Sequence, residues 1–336
     1  MENPVLVEIF RGAAIESHHR GSVAVMDADG GLALALGDID TPVFPRSAVK
    51  AFQALPLLES GAADQFGLTP KEIALAISSH SGEPEHVETA LGILKKAGRD
   101  ESCLECGSHW PSSGEAERAL AALGQKPSAL HNNCSGKHSG FVCLACGLDE
   151  DPKGYILPDH RVQREIRAAG EEIMGFSFLD EYTGTDGCSI PTYAVPLKSI
   201  ALGFARLATG QGLGPERAKA ARRIREAAAA NPFMVAGTGR LDTVAMELFR
   251  ERVFMKTGAE GVYCAAIPEL GLGVALKADD GEGRAAQAML AGILNRFLPM
   301  DDTTRAAFDG KAWPTLKNWN GMTVGAIRAS TVLLGK

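Results

Sequence analysis

The chain has 336 residues, of which 45% are hydrophobic and 22% are charged, and its formal net charge at pH 7 is -7. This is the balance of a globular protein with a large core, and the length predicts about two domains. An acidic chain without a basic run is not expected to bind nucleic acid, and no apolar stretch is long enough to predict a membrane span. We expect a cytoplasmic protein, because the N-terminus lacks the basic and apolar regions of a signal peptide.

The N-terminal region predicts strands. Residues 5–10 and 22–26 alternate in the manner of strands, a turn follows over 27–31, and residues 32–36 return as a third strand. The pair His18-His19 lies in a polar segment before the second strand, so we expect both side chains to be exposed.

Ser47-Ala48-Val49-Lys50 matches the pattern SxxK, in which a hydroxyl and an amine share one face of a helix. Pro45 precedes the motif, apolar residues follow at helical spacing, and Gly61 ends the pattern. In the first turn of a helix, free backbone N–H groups favour a negative charge and disfavour an ammonium ion. Lys50 therefore has a reason to be neutral and to accept the proton of Ser47. The alternative is an N-cap serine followed by a solvated lysine.

A polar segment, Ser78 to Glu83, follows the apolar run 73–77, and Gly82 marks a turn out of it. It is either a catalytic motif or a serine-rich N-cap for a helix that begins near Glu85. Further helices are predicted by periodicity or alanine content over residues 91–97, 114–123, 161–174, 200–207 and 215–230.

Seven cysteines, an odd number, favour free thiols or a metal over a set of disulfides in a cytoplasmic protein. Cys134 and Cys188 lie in two polar, glycine-containing segments, residues 131–138 and 183–189, of the kind found in functional loops. The two thiols either share a zinc ion or are buried free thiols. Candidates for the remaining zinc ligands are His138, Asp186 and a deprotonated Lys137.

The C-terminal third predicts the rest of a sheet. Lys256-Thr257-Gly258 ends an apolar run, residues 262–267 and 271–276 predict adjacent antiparallel strands, and residues 284–297 predict a closing helix. Just before this region, residues 237–243 either bind an anion through their backbone and Arg240 or form a turn that leads into a helix.

These elements predict an α+β fold: a mainly antiparallel sheet, covered by helices, with a helical insert. Residues 1–60 and 232–336 form the sheet-containing domain, and residues 61–231 form a mostly helical insert that carries the Cys134 and Cys188 loops. SxxK followed by KTG on a sheet strand is the arrangement of penicillin-recognising serine enzymes, which assigns Ser47 as nucleophile and Lys50 as base.

Four motifs in order resemble the rhizobial-type L-asparaginases, also called the asparaginase II family. They are residues 46–50, 78–83, 133–138 and 185–191. The resemblance runs nearly from end to end, and it implies a fold like that of serine beta-lactamases and glutaminases. It also implies a homodimer.

Carried over by motif, the resemblance implies that Ser79 and Lys256 form a second serine-lysine pair around Ser47 and Lys50. It implies a zinc ion held by Cys134, Lys137 and Cys188 beside the substrate pocket. The residues expected to bind or orient substrate are Arg46, His138, Asp186 and Gly258.

We therefore predict an amidohydrolase that converts L-asparagine to L-aspartate and ammonia through a serine acyl-enzyme. The backbone N–H groups at Ser47 and just after Gly258 are expected to bind the oxyanion. A glutaminase or a beta-lactamase would use the same serine and lysines. A non-enzymatic zinc or thiol module is the alternative of another class.

Overall fold

The structure, a computed structural model, describes residues 2–335. Within these residues, eight strands form one sheet in the order β11-β12-β1-β2-β10-β9-β8, with β3 paired to β2. Every pairing between neighbouring strands of this sheet is antiparallel. The strands of the chain are β1 (Val5–Arg11), β2 (Ala14–Asp27), β3 (Leu32–Leu36), β4 (Pro42–Val43), β5 (Thr183–Thr185), β6 (Pro191–Tyr193), β7 (Val195–Pro196), β8 (Phe254–Thr257), β9 (Val262–Ile267), β10 (Leu272–Ala278), β11 (Thr315–Lys317) and β12 (Thr323–Ala329).

The long strand β2 joins the two ends of the chain. Its first half pairs with β1, and its second half pairs with β10 on one side and β3 on the other. It begins earlier than the sequence predicts, so His18 and His19 lie within it. The expectation that both are exposed is wrong for His19, which is buried with its Nδ1 atom 2.5 Å from Asp280 Oδ2.

Helices cover this sheet. They are α1 (Lys50–Gln53), α2 (Leu55–Glu59), α3 (Ala62–Gln65), α4 (Pro70–Ala76), α5 (Pro84–Lys96), α6 (Gly114–Ala122), α7 (Ser135–Gly147), α8 (Arg161–Met174), α9 (Leu197–Thr209), α10 (Pro215–Ala230), α11 (Pro232–Ala236), α12 (Leu241–Phe249), α13 (Gly283–Phe297), α14 (Asp302–Ala312) and α15 (Thr331–Leu334). Both α9 and α13 pack on the central strands β9 and β10. A Cβ atom at Gly273 would lie 2.1 Å from the carbonyl oxygen of Ala201, so glycine lets the backbone of α9 approach β10 closely.

The predicted α+β class, with a mainly antiparallel sheet covered by helices, is confirmed. The part of the chain between β4 and β8 is mostly helical, as predicted, and its few strand residues form two small ladders, β4-β7 and β5-β6. The proposed domain boundaries stay a prediction. Across residues 2–335, no helix combines the length and the apolar character that crossing a lipid bilayer requires.

Candidate active site

Ser47 and Lys50 lie on a broken helix at the start of the helical region. A 3-10 turn, Arg46–Val49, leads into α1 and then α2, where a single helix is predicted from the sequence. Pro56 explains the break, because a proline in the first turn of α2 has no N–H group to continue the α1 ladder. Arg46 has a φ of 53°, a left-handed backbone conformation that non-glycine residues rarely adopt outside functional sites.

The amine of Lys50 is fully buried and points toward the segment that follows α4. Its Nζ atom lies 2.5 Å from the carbonyl oxygen of Ser78, 3.1 Å from Ser79 Oγ and 3.1 Å from Cys134 Sγ. The Ser47 hydroxyl has no hydrogen-bond partner among residues 2–335, Lys50 included. The role of Lys50 as base for Ser47 therefore stays a prediction.

The hydroxyl of Ser79 lies between two buried amines. Lys256, on β8, is fully buried with its Nζ atom 2.9 Å from Ser79 Oγ, and Lys50 lies on the other side. Burial lowers the pKa of Lys256 to about 7, and the positive charge of Lys50 adds to this effect. A lysine with that pKa can hold or release a proton at neutral pH, which is what a general base requires.

Ser47 and Ser79 open into the same pocket, with a volume of about 260 Å³. Its remaining lining side chains are mostly polar, and the pocket is open to solvent on one side. The residues that line it are Ser47, Ser79, His80, His109, Ser112, Asn133, Arg240, Thr257, Gly258 and Ala259. This brings the predicted residues Ser47, Ser79 and Gly258 to one wall.

Gly258 lets the end of β8 contact the turn Arg46–Val49 and the Pro45 residue before it. A Cβ atom there would lie 2.6 Å from the carbonyl oxygen of Pro45. The N–H group of Gly258 donates to Val262, but the N–H groups of Ser47 and Ala259 make no backbone hydrogen bond to residues 2–335. Two free N–H groups at the pocket wall have the chemistry of an oxyanion hole.

Asp242 holds the end of β8 in place, a role that the sequence does not predict. Its buried carboxylate accepts hydrogen bonds from the backbone N–H of Thr257 at 2.9 Å and from the Tyr263 hydroxyl at 2.8 Å. For residues 237–243 the sequence predicts only an anion-binding segment or a turn that leads into a helix. The signal that could have found it is a carboxylate beside an arginine, placed shortly before the KTG strand.

Next to Lys50 lies the candidate metal cluster of Cys134, Lys137 and Cys188. Lys137 Nζ is 3.1 Å from Cys188 Sγ, and all three side chains are buried. A hydrogen bond from Cys188 and the charges of Lys50 and Lys137 hold the pKa of the Cys134 thiol well below its ordinary value. The sequence predicts a loop here, but Lys137 and His138 lie in α7. Gly136 lets this helix pack closely against Leu75, because a Cβ atom at position 136 would lie 2.3 Å from the Leu75 carbonyl oxygen.

Three predicted substrate-binding residues do not line the pocket of Ser47 and Ser79. The guanidinium of Arg46 is paired with Asp186, with Nη2 2.8 Å and Nε 2.9 Å from Oδ1. His138 is fully buried, with Nδ1 2.6 Å from the Tyr155 hydroxyl. Their role in substrate binding stays a prediction.

The donor set of Cys134, Lys137 and Cys188 is compatible with zinc. Two thiolates and a neutral amine are ligands that Zn²⁺ accepts, and a water would complete a tetrahedral shell. Among residues 2–335, no three or more His, Cys, Asp or Glu side chains gather in a way that could hold a metal ion. A zinc site here therefore requires the amine of Lys137 as a ligand.

A comparison of the sequence with models of protein families identifies the family of this chain. The model of the L-asparaginase II family matches residues 7–329, nearly the whole chain. The chain belongs to the L-asparaginase II family. This membership confirms the predicted resemblance and supports an amidohydrolase, and it extends over both the SxxK turn and the KTG strand.

Outside this family the likenesses are distant. No curated protein matches the chain. Among solved structures, simvastatin synthase LovD from Aspergillus terreus has a TM-score of 0.41 and 12% identity, covering 77% of this chain and 86% of its own. Mglu in its native form has a TM-score of 0.35 and 16% identity, covering 84% and 66%. A beta-lactamase from Mycobacterium bovis has a TM-score of 0.36 and 11% identity, covering 87% and 94%.

Proposed function

We propose that this member of the L-asparaginase II family hydrolyses L-asparagine to L-aspartate and ammonia through a serine acyl-enzyme. The observation that supports this most strongly is the arrangement around Ser79. Its hydroxyl contacts two buried amines, of Lys50 and Lys256, at the edge of the pocket that Ser47 lines. Two buried amines joined by a hydroxyl at this pocket can accept and return a proton at neutral pH, as acyl transfer to a serine requires.

In the first step, Ser47 Oγ attacks the side-chain amide carbon of asparagine, and a C–O bond forms. The serine proton passes to the lysine pair, in which Ser79 connects Lys50 to Lys256 by hydrogen bonds of 3.1 and 2.9 Å and Lys256 is the amine with a pKa of about 7. The negative oxygen of the tetrahedral intermediate accepts hydrogen bonds from the N–H groups of Ser47 and Ala259. Because both N–H groups are free of backbone hydrogen bonds, they stabilise the negative oxygen without a rearrangement of the backbone.

Departure of ammonia completes the first half of the reaction. The C–N bond breaks, and the lysine pair returns the proton to the leaving nitrogen, so the same amines act as base and then as acid. Water then attacks the aspartyl ester of Ser47, giving its proton to the lysine pair. The ester C–O bond breaks, Ser47 regains its proton, and aspartate leaves.

Zinc, where present, would be held by Cys134, Lys137 and Cys188. When bound, it would act as a Lewis acid beside Lys50 and help to position the substrate. The chain's own residues supply the nucleophile, the proton transfers and the oxyanion donors, so none of the steps above depends on the metal.

Turnover on one preparation tests the proposal. We expect ammonia release from L-asparagine that exceeds release from L-glutamine, and no hydrolysis of a chromogenic beta-lactam. Greater turnover of glutamine would reassign the enzyme as a glutaminase, and beta-lactam hydrolysis alone would reassign it as a beta-lactamase. Zinc near one ion per chain without any amidase activity would favour the non-enzymatic module.

A further inference from the structure

An anchored loop between α11 and α12, residues 237–240, brings Arg240 to the pocket wall. Its first anchor is the carboxylate of Glu83, at the start of α5. Glu83 accepts a hydrogen bond from the backbone N–H of Thr238 at 2.8 Å and another from the Thr238 hydroxyl at 2.6 Å. These bonds tie the loop to the segment that carries Ser79.

A second anchor lies one residue earlier. Gly237 has a φ of +115°, and a Cβ atom there would lie 1.7 Å from Ser81 Oγ, so only glycine fits. The Thr243 hydroxyl donates to the Gly237 carbonyl at 2.7 Å, and the Ser81 hydroxyl donates to the Ala236 carbonyl at 2.9 Å. The loop is therefore fixed on both sides before it reaches Arg240.

Arg240, the residue before α12, is partly buried and lines the pocket with Ser47 and Ser79. Its guanidinium makes no hydrogen bond and no ion pair with any side chain in residues 2–335. The nearby acid Asp242 makes no ion pair with it, and the two oxygens of that carboxylate accept hydrogen bonds from Thr257 and Tyr263 instead.

The contrast with Arg46 is informative. Arg46 is already paired with Asp186 and is not on the pocket wall, whereas Arg240 lines the pocket of Ser47 with a guanidinium that has no ion-pair partner. A guanidinium in a partly desolvated pocket is stabilised by an anion, and its planar donors match a carboxylate in a bidentate manner. Such a residue selects ligands that carry a carboxylate.

We propose that Arg240 binds the α-carboxylate of the substrate and makes this site specific for amides of acidic amino acids. The inference rests on the proposed function, because it concerns the same pocket. It gives the loop over residues 237–240 a purpose: Glu83, Ser81 and Thr243 anchor the backbone that leads to Arg240 at the pocket of Ser47. A bound carboxylate then places the side-chain amide at the nucleophile.

The test measures binding without turnover. In a Ser47→Ala background, calorimetry compares the Kd of L-asparagine with the Kd of L-asparaginamide, in which an uncharged amide replaces the α-carboxylate. We expect the background protein to prefer asparagine by about 10- to 100-fold, the range of a charge-assisted hydrogen bond in a pocket. Adding Arg240→Gln should bring the two Kd values within about threefold of one another.

Arg240→Lys keeps the charge but not the planar fork, so we expect part of the preference to remain. If thermal unfolding shows that Arg240→Gln is not folded, the same comparison of Kd values is made with Arg240→Lys. An unchanged preference in a folded Arg240 variant would overturn the proposal, as would a background protein that binds the two ligands equally or binds neither.

The proposed function is judged separately, by ammonia release from the unsubstituted protein. Loss of the asparagine preference on substitution of Arg240 would support the carboxylate site even if that protein released no ammonia. Conversely, active protein with an Arg240-independent preference would leave the asparaginase proposal intact and remove Arg240 from substrate recognition.

Discussion

Lys256 Nζ lies 2.9 Å from Ser79 Oγ, although 177 residues separate the two along the chain. Lys50 Nζ lies 3.1 Å from the same oxygen, so two buried amines share one hydroxyl. Two ammonium ions at this distance repel each other in a medium that screens charge poorly. Burial and this repulsion together explain why the pKa of Lys256 falls to about 7.

This pKa predicts the pH dependence of catalysis. Below pH 7 Lys256 is protonated and cannot take part in accepting a proton, so kcat/KM for asparagine should rise as the pH passes through about 7. Lys256→Met should lower kcat/KM by about 100- to 10,000-fold and remove this limb. Steady-state assays from pH 5 to pH 9 check both expectations.

The control is Lys198→Met, at an exposed lysine that is paired with Asp40 and does not line the pocket. This variant should show the same pH dependence of kcat/KM as the unsubstituted protein. If kcat/KM of Lys256→Met still rises as the pH passes through about 7, a group other than Lys256 causes the pH dependence.

The same buried lysine predicts a pH dependence of stability. An unfolded lysine titrates near 10.5, whereas folded Lys256 has a pKa of about 7, so between these values the unfolded chain binds more protons. Stability therefore rises with pH across this window, by up to about 1.4 kcal/mol per pH unit for this group. Urea unfolding at pH 7.5, 8.5 and 9.5 should show a steeper rise for the unsubstituted protein than for Lys256→Met. Parallel curves would contradict the buried, neutral state of Lys256.

Gly258→Ala should separate the KTG strand from the turn that carries Ser47. The added Cβ would lie 2.6 Å from the Pro45 carbonyl oxygen and 3.1 Å from Val262 Cβ, so the backbone must shift. We expect a loss of about 100-fold in kcat/KM and of about 1–3 kcal/mol in the free energy of unfolding. Gly310→Ala is the control, because nothing lies within 4 Å of its added Cβ. Equal behaviour of the two variants would show that the close contact at Gly258 is not needed.

The sequence predicts the fold well where patterns are local. The helices Arg161–Met174 and Pro215–Ala230 have the predicted bounds, because periodicity and alanine content act within one segment. His19 is buried and contacts Asp280, which lies 261 residues away, and no local pattern predicts such a contact. For the same reason the sequence does not predict the helix that carries Lys137, because the packing of Gly136 against Leu75 overrides the weak helix propensity of the segment.

At the site, too, local motifs predict the residue types, whereas the contacts between them depend on the fold. The SxxK and KTG motifs identify Ser47, Lys50 and Lys256 as candidates, because spacing alone puts those residue types in an order typical of one chemistry. Which groups each amine contacts is a property of the folded pocket. The contacts of Lys50 with Ser78, Ser79 and Cys134 depend on segments far apart in sequence, and so does the anchoring of the Arg240 loop by Glu83.

Zinc binding should depend on Cys188. Its thiol lies 3.1 Å from Lys137 Nζ within the proposed ligand set, so Cys188→Ser should reduce zinc from near one ion per chain to a small fraction of that. Cys103→Ser, at a partly exposed cysteine outside this cluster, should retain full zinc. Elemental analysis after dialysis against a weak chelator provides the measurement. Equal zinc content in both variants would mean that the metal is held elsewhere.

The central claim is that Ser47 is the nucleophile, and steady-state ammonia release from L-asparagine by Ser47→Ala tests it most directly. The substitution removes one hydroxyl that makes no hydrogen bond within residues 2–335, so the fold should be unchanged by circular dichroism and thermal unfolding. We predict that kcat falls by about 10,000-fold or more. Ammonia release near the level of the unsubstituted protein would contradict the account.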